Sequence, residues 1–524
     1  MRDRPQPPPH HQPWAGSPVA HGRDPAGSAR LPGFPLAWRY ADPTDTVRVP
    51  VSVGHAEAGR EAPKASAGAE RHRADRTRRG PRQIVALLGI AAICALIGWH
   101  VGVKVMFLRG NLAAACYTIL ISSYVLSRFV LAAFYRPPRD VGLEPSVAII
   151  VPAYNEGEAV GRTIHSCLAL DYPAEKLEIV VINDGSSDDT WEQMLSAAGR
   201  YRPGAVRCLD LGHNQGKRAA MAAGIRATSA EILVFVDSDS MPAPDAIRIL
   251  VQGFADPKVG AISGLTYVRN AEANTLTRMQ AVRYYVSFQL LKSAESVLGA
   301  VTCCSGCFAA YRRAAVVELL EAWEHQRFLG VECTYGDDRA LTNRVLRAGW
   351  TTRYDARAEA WTDAPEAYGK FLRQQLRWKK SWTREGPLLL AHIWRTRTRA
   401  LPSVAVQTAA GLLSPVIVLY SLVQPFVDGR FPLVYFTGLY LVAGAYALVY
   451  RMLRHDGLWL YALLGTFFYI LFSPQLLWAV ARIRDGSWGT RGAAPPPPSA
   501  ASPDAPPVSV PAILPVRVPA VSRD

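Results

Sequence analysis

The chain has 524 residues, 49% hydrophobic and 19% charged, which is too long for one small domain and too apolar for a disordered polypeptide. Several near-uncharged apolar stretches of about twenty residues exclude a purely cytosolic protein. The excess of 58 Lys and Arg over 43 Asp and Glu gives a formal charge of +15, and beside membrane segments that balance points to anionic lipid or an anionic substrate rather than nucleic acid.

Residues 1–82 are rich in Pro, Arg, Ala and Gly with no sustained apolar period, and are expected to form a disordered basic tail. No secretory apolar core lies in the first thirty residues, so the first span, about Ile84 to Val103, is expected to be an uncleaved anchor. The run Arg71, Arg73, Arg76, Arg78, Arg79 and Arg82 before it argues for a cytoplasmic N-terminus. A second span, about Leu112 to Phe134, completes a two-helix hairpin over 83–135 that returns the chain to the cytoplasm. Over 145–385, short β-rich runs (VAIIV, LEIVVIN, ILVFVD) alternate with helical stretches and predict a parallel α/β sheet. Apolar segments follow near 403–426, 431–450 and 457–481, and 492–524 reads as a disordered Pro-rich tail. Three full crossings would place Arg482, Arg484 and Arg491 outside, against the positive-inside rule. Ser473-Pro474 interrupts the last segment, so one of the three is expected to be re-entrant, or the count is wrong.

The chemistry-bearing motifs sit where these strands end. The first strand runs into Pro152-Ala153-Tyr154-Asn155-Glu156 and the second into Asn183-Asp184-Gly185-Ser186-Ser187-Asp188, at the carboxyl edge where open α/β sheets bind ligands. A base and ribose fit between Tyr154 and Asp184; for either motif alone, an ordinary βα turn with an Asp or Ser cap is the alternative. Gly212-His213-Asn214-Gln215-Gly216-Lys217-Arg218 is one residue short of a Walker loop and lacks its Ser/Thr, but Lys217 and Arg218 open a helix suited to a diphosphate. The strand Ile232 to Val236 ends in Asp237-Ser238-Asp239, two carboxylates that suit Mn2+ or Mg2+ shared with a diphosphate. Gln374, Arg377 and Trp378 fall on one helical face, a platform for sugar or diphosphate, compatible with Trp378 and Trp382 anchoring an interfacial helix. Cys303, Cys304 and Cys307, with Cys333 further on, lack a second paired Cys or His motif, so they read as small residues of a tight loop at Ser305-Gly306 rather than zinc ligands. Eight cysteines, two of them (Cys94, Cys116) inside apolar spans, read as reduced thiols facing the cytosol rather than a secreted disulfide framework.

Taken in order, Pro-Ala-Tyr-Asn-Glu, Asn-Asp-Gly-Ser, Asn-x-Gly-Lys-Arg, Asp-x-Asp, Gly336-Asp337-Asp338-Arg339 and Gln374-x-x-Arg377-Trp378 resemble the processive family 2 glycosyltransferases, which include cellulose, chitin and hyaluronan synthases. The blocks Gly336 to Asn343, Thr362-Asp363-Ala364-Pro365, Arg377 to Glu385 and Trp488-Gly489-Thr490-Arg491 resemble the hyaluronan synthase branch most, whereas Cys303-Cys304-Ser305-Gly306-Cys307 resembles the nodulation chitin-oligosaccharide synthases. The resemblance covers about 84–492. It implies a GT-A catalytic domain inserted between the transmembrane helices of a multi-pass plasma-membrane protein, with the domain cytoplasmic. It further implies UDP-sugar donors held by Ala153, Tyr154, Glu156 and Asp184 at the uridine end and by Lys217 and Arg218 at the diphosphate. Asp237 and Asp239 hold Mn2+ or Mg2+ in that scheme. Asp338 is the base that activates the acceptor hydroxyl for inverting transfer, and Gln374, Arg377 and Trp378 line the acceptor. A non-processive lipid-linked sugar transferase is the rival enzyme; a nucleotide-binding receptor or transporter leaves Asp237, Asp239 and Asp338 unexplained.

Overall fold

The computed structural model describes residues 79–485 apart from 108–111, 201–203, 430–432 and 455. Residues 1–78 and 486–524 lie outside the described residues, and with them nearly all of the 1–82 tail, most of the basic run, Trp488-Gly489-Thr490-Arg491 and the 492–524 tail; 79–82, expected in the first tail, open the first helix.

Strand β1 (Val147–Ala153) is buried along its whole length. Its two-residue period explains why both faces need cover: Val147, Ile149 and Val151 enter one core, and Ala148 and Ile150 the other. The first core is closed by Val160, Ile164 and Cys167 of the Glu158–Leu168 helix, the second by Ala220, Met221 and Ile225 of the Lys217–Arg226 helix. Each fully buried Ile or Val contributes about 1.5–3 kcal/mol.

The other strands are β2 (Leu177–Asn183), β3 (Val206–Asp210), β4 (Ile232–Phe235), β5 (Met241–Pro242), β6 (Val259–Val268), β7 (Ala309–Arg312), β8 (Arg327–Phe328), β9 (Val331–Glu332) and β10 (Thr351–Thr362). Eight of them form one sheet in the order β3-β2-β1-β4-β7-β6-β10-β5, and β8 and β9 make a separate small hairpin. The sheet is mixed, which corrects the parallel expectation. β7 lies antiparallel to both β4 and β6, pairing Ala309 with Phe235, and β5 is antiparallel to β10. The physical reason is the connection. After β6 the chain runs through a long helical stretch, Thr275 to Val297, and re-enters the sheet from its carboxyl edge. A strand entering there must run backwards, and the loop that feeds it, Cys303 to Cys307, is thereby laid beside the end of β4 where Asp237 sits.

Four long helices flank this domain in sequence: Arg79–Phe107, Leu112–Ala133, Leu401–Asp428 and Leu433–Leu453. Among the described residues three stretches, Cys116–Ala133, Thr398–Val427 and Tyr435–Leu453, are long and apolar enough to cross a membrane. The last apolar segment does break at Ser473-Pro474, into Tyr461–Leu471 and Gln475–Ala481. Eleven residues of helix span about 16 Å, half of a hydrocarbon core of about 30 Å. The chain then returns to the catalytic domain: the Tyr335 hydroxyl donates to the Ile483 carbonyl at 2.8 Å, and Lys380 donates to the carbonyl of Asp485.

Candidate active site

The first two strand-end loops are stitched together. Asn155, at φ +50, accepts from Ser187 N at 2.8 Å, and Thr190 Oγ1 accepts from the backbone N–H of Glu156 (2.8 Å) and Gly157 (2.9 Å). Tyr154 and Glu156 are partly exposed at this seam, whereas Ala153 is buried at the strand end. Asp184, expected at the uridine, is 1% exposed, and its carboxylate accepts from Gln215 N (2.8 Å) and Gly216 N (3.0 Å). It therefore shapes the loop that leads to Lys217.

Lys217 opens its helix and donates to Asp237, neutralising that carboxylate. Asp239 accepts from Thr362 Oγ1 (3.1 Å) and Ser240 Oγ (3.2 Å) and makes no ion pair among the described residues. Burial, and then the charges of Asp237 and Glu156, push its carboxyl up to about 7. No three His, Cys, Asp or Glu side chains among the described residues converge into a ready metal cage. The pair Asp237 and Asp239 nonetheless fits a hard divalent ion. Its donors are carboxylate oxygens, and the raised Asp239 marks negative charge in want of a cation.

Asp337 and Asp338, adjacent in sequence, have separate tasks because they open a helix, Asp337–Arg347, where successive side chains point about 100° apart. Asp337 is buried against Arg218, Nε to Oδ1 2.9 Å. Asp338 stays partly exposed, receives the Cys303 thiol on Oδ2 at 3.4 Å and its own helix N–H from Arg339 on Oδ1 at 2.7 Å. Gly336 caps this helix in the left-handed region at φ +75, and a Cβ on it would meet Ser381 Oγ at 2.0 Å, so only glycine brings the turn that carries Asp338 this close to the Tyr368–Thr396 helix.

Arg218, expected at the diphosphate, is placed beside Asp337 instead of at the open edge of the site. Its guanidinium is buried, donating to Asp337, to the Trp323 carbonyl (2.9 Å) and to Gln326 (3.3 Å). A guanidinium so enclosed compensates the buried Asp337 carboxylate, while its Nη2 has no protein partner among the described residues. Arg218→Leu is accordingly expected to cost about 3–5 kcal/mol of stability, by stranding the buried Asp337 charge. The measurement is thermal unfolding in detergent; a stable variant that loses only UDP affinity would restore the phosphate role.

Sequence reasoning missed the part played by the cysteine loop. The backbone of Cys304 donates to Thr342 Oγ1 (2.9 Å), which in turn donates to the Asp338 carbonyl (2.7 Å), so the loop is tied to the helix that carries Asp338. At the loop's other end a Cβ on Gly306 would lie 3.2 Å from Asp237 Oδ1 and 3.4 Å from Lys217 Nζ. The loop thus bridges the Asp237 side of the site and the Asp338 side. All eight cysteines are unpaired. The available signal was the small-residue run itself, Cys-Cys-Ser-Gly-Cys, but nothing local says which carboxylates it will lie between.

Gln374, Arg377 and Trp378 do share the Tyr368–Thr396 helix. Trp378 is 39% exposed with its ring 6.1 Å from that of Tyr284, and Gln374 Oε1 is buried without a protein partner among the described residues. Gln375, next in sequence, accepts from Arg283 Nη1 at 3.0 Å. Arg283 also lines a cavity of about 420 Å3 among the flanking helices, with His100, Tyr117, Ser122, Ser414 and Tyr435 in its wall.

Residues 145–381 match the family described as glycosyltransferase like family 2. A hyaluronan synthase of Streptococcus pyogenes is 30% identical over 391 residues, 74% of this chain and 93% of its own. The chain belongs to glycosyltransferase family 2. An N-acetylglucosaminyltransferase of Mesorhizobium japonicum is 33% identical over 410 residues, 73% of this chain and 94% of its own. A mannosyltransferase from Pyrobaculum calidifontis, solved in complex with GDP-Man and Mn2+, superposes with a TM-score of 0.49 at 19% identity, over 70% of this chain and 98% of that one. As a family 2 glycosyltransferase the chain is an enzyme of the GT-A fold, so the receptor or transporter reading is set aside.

Proposed function

We propose that the chain is a processive, inverting synthase that builds hyaluronan from UDP-GlcNAc and UDP-GlcA on the cytoplasmic side of the plasma membrane and passes it outward. The observation that carries this reading is one helical turn. Arg283 lines the cavity between the flanking helices and bonds Gln375, while its neighbour Tyr284 packs on Trp378. A chain elongated against Trp378 is then one residue from an opening among membrane helices. The described lining of that cavity is largely apolar, with several hydroxyls and Arg283 and no Asp or Glu, so a polymer that carries carboxylates would meet no like charge there. Two crossings before the catalytic domain and two after it, with 457–481 at the interface, agree with the return of Ile483 to Tyr335.

In the mechanism Tyr154, Glu156 and Ala153 form the uridine end, around the loop that Asp184 shapes, and Lys217 stands by the diphosphate. Asp237 and Asp239 would hold Mn2+ or Mg2+, whose chemistry when bound is to neutralise the departing diphosphate. Asp338 Oδ2 takes the proton of the acceptor hydroxyl as that oxygen attacks the anomeric carbon. The bond from that carbon to the UDP oxygen breaks on the opposite face, so the new linkage is β. Gln374, Arg377 and Trp378 hold the acceptor end, the indole stacking on the sugar face.

A second reading, a chitin-oligosaccharide synthase using UDP-GlcNAc alone, is favoured by the Cys303 to Cys307 sequence and by the Mesorhizobium relative at 33% identity. Purified protein given both donors is expected to make long polymer digestible by hyaluronidase, and with UDP-GlcNAc alone only short products. Long product from UDP-GlcNAc alone, resistant to hyaluronidase and degraded by chitinase, would decide for the second reading.

A further inference from the structure

Lys292 ends a widened, π-helical turn, Ser287–Lys292, in the helix that leads into the catalytic loop. Such turns are uncommon and concentrate at functional sites. The turn leaves Phe288 and Lys292 packed together, with Nζ 3.9 Å from the ring centroid. The ammonium donates to Ser263 Oγ at 2.8 Å, on β6, and to Ser305 Oγ at 2.7 Å, in the middle of the cysteine loop. It makes no ion pair among the described residues, unlike the other enclosed site cations, Lys217 with Asp237, Arg218 with Asp337 and Arg384 with Glu385. An ammonium has three N–H groups. Two go to neutral hydroxyls, and the third has no protein acceptor among the described contacts.

A cation out of water and bonded only to neutral groups is costly, and burial pulls the Lys292 ammonium below the ordinary lysine range although the carboxylates of Glu295 and Asp338 act on it from beyond ion-pair distance. Its position says what would compensate it. Ser305 lies two residues from Cys303, which touches the Asp338 carboxylate, and next to Gly306, which abuts Asp237 and Lys217. The transferred sugar must sit between those two ends, so the spare N–H is placed by the loop that borders it. A neutral N-acetylhexosamine can offer that N–H a hydroxyl or an amide carbonyl. A uronic acid offers a carboxylate, which adds to the hydrogen bond the attraction between two opposite charges held out of water.

We propose that Lys292 binds the carboxylate of a uronic-acid sugar at the transfer site and so sets the enzyme's acceptance of the acidic sugar against the neutral one. This rests on the two-donor reading above. The carboxylate has two sources, the UDP-linked uronate or the uronate at the end of the growing chain. The test compares full-length wild type, Lys292→Met and Lys292→Arg in detergent, measuring kcat/KM for UDP-GlcA and for UDP-GlcNAc, each with oligosaccharide acceptors ending in the other sugar. In Lys292→Met the ratio of the UDP-GlcA to the UDP-GlcNAc value is expected to change about tenfold or more, and Lys292→Arg to restore most of it. A fall in UDP-GlcA binding, measured with the nucleotide sugar alone, assigns the contact to the donor. A fall confined to acceptors with a uronate end assigns it to the polymer. Proportional losses with both donors, the signature of a lysine that only ties Ser305 to Ser263, overturn the inference. Wild type that incorporates no uronate overturns the two-donor reading itself; wild type that does so, with an unchanged ratio in the variant, overturns only the inference.

Discussion

Asp338→Asn is expected to lower kcat by about two orders of magnitude or more, the usual scale for removing a general base. The amide keeps the shape of the carboxylate and leaves the Arg339 N–H an oxygen to bond. It cannot take the acceptor's proton. Because Asp338 lies across the cysteine loop from Asp237 and Asp239, binding of UDP with Mn2+ is expected to survive, which separates this variant from a misfolded one. The neighbouring Asp337→Asn is the contrasting control. It removes the counter-charge of Arg218, buried at 2.9 Å, and is expected to lower thermal stability. If Asp338→Asn turned over near the wild-type rate, the base would have to be sought elsewhere.

Chelation is expected to be the second large effect: EDTA abolishes transfer, Mn2+ or Mg2+ restores it, and Asp239→Asn loses activity while staying folded. The pH dependence follows from the raised Asp239 carboxyl, near 7 in the cation-free protein. A divalent ion needs the ionised form, so protons compete with it, and its apparent affinity should fall as pH drops through and below about 7. The stability of the cation-free protein has the opposite sign. A carboxyl raised in the fold favours the protonated native state, so its contribution is present below the ordinary carboxylate range and lost as pH rises through about 7. Added Mn2+ should therefore raise the unfolding temperature more at pH 8 than at pH 6. Full turnover in excess chelator, or a cation response independent of pH, would count against the carboxylate pair as the metal site.

What the sequence made legible was local in the chain. Strand β1 announces itself by an unbroken apolar run, and the motifs at Asn155, Asp184 and Asp237 follow their strands within a residue or two, so chain order alone puts them at one edge of a sheet. Pairings between distant residues carried no such mark. Arg218 reads as half of a basic pair beside Lys217, yet its partner, Asp337, is 119 residues away, and only the fold decides which of two adjacent arms turns inward. The reversal of β7 was equally hidden. Its residues, Ala309 to Arg312, are as compatible with one direction as with the other, and the direction follows from where the preceding helix delivers the chain. Cys303, read as packing, became a neighbour of Asp338 through that reversal. The break at Ser473-Pro474 was visible as a proline in an apolar run, but the return of Ile483 to Tyr335 was not.

That return has a consequence for how this protein can be handled. The segment that matches the family ends at 381, and it is tempting to treat it as a portable module. Lys379, Lys380 and Tyr335 all spend their polar groups on carbonyls between Phe472 and Asp485, and Gln475 Nε2 reaches back to the Leu372 carbonyl at 2.9 Å. Cutting after the matched segment would leave two lysines and a tyrosine hydroxyl without acceptors and bare the face that supports the turn carrying Asp338. A piece that keeps its own site intact therefore extends at least to Asp485, and a cut after the matched segment does not separate a soluble half from the apolar helices.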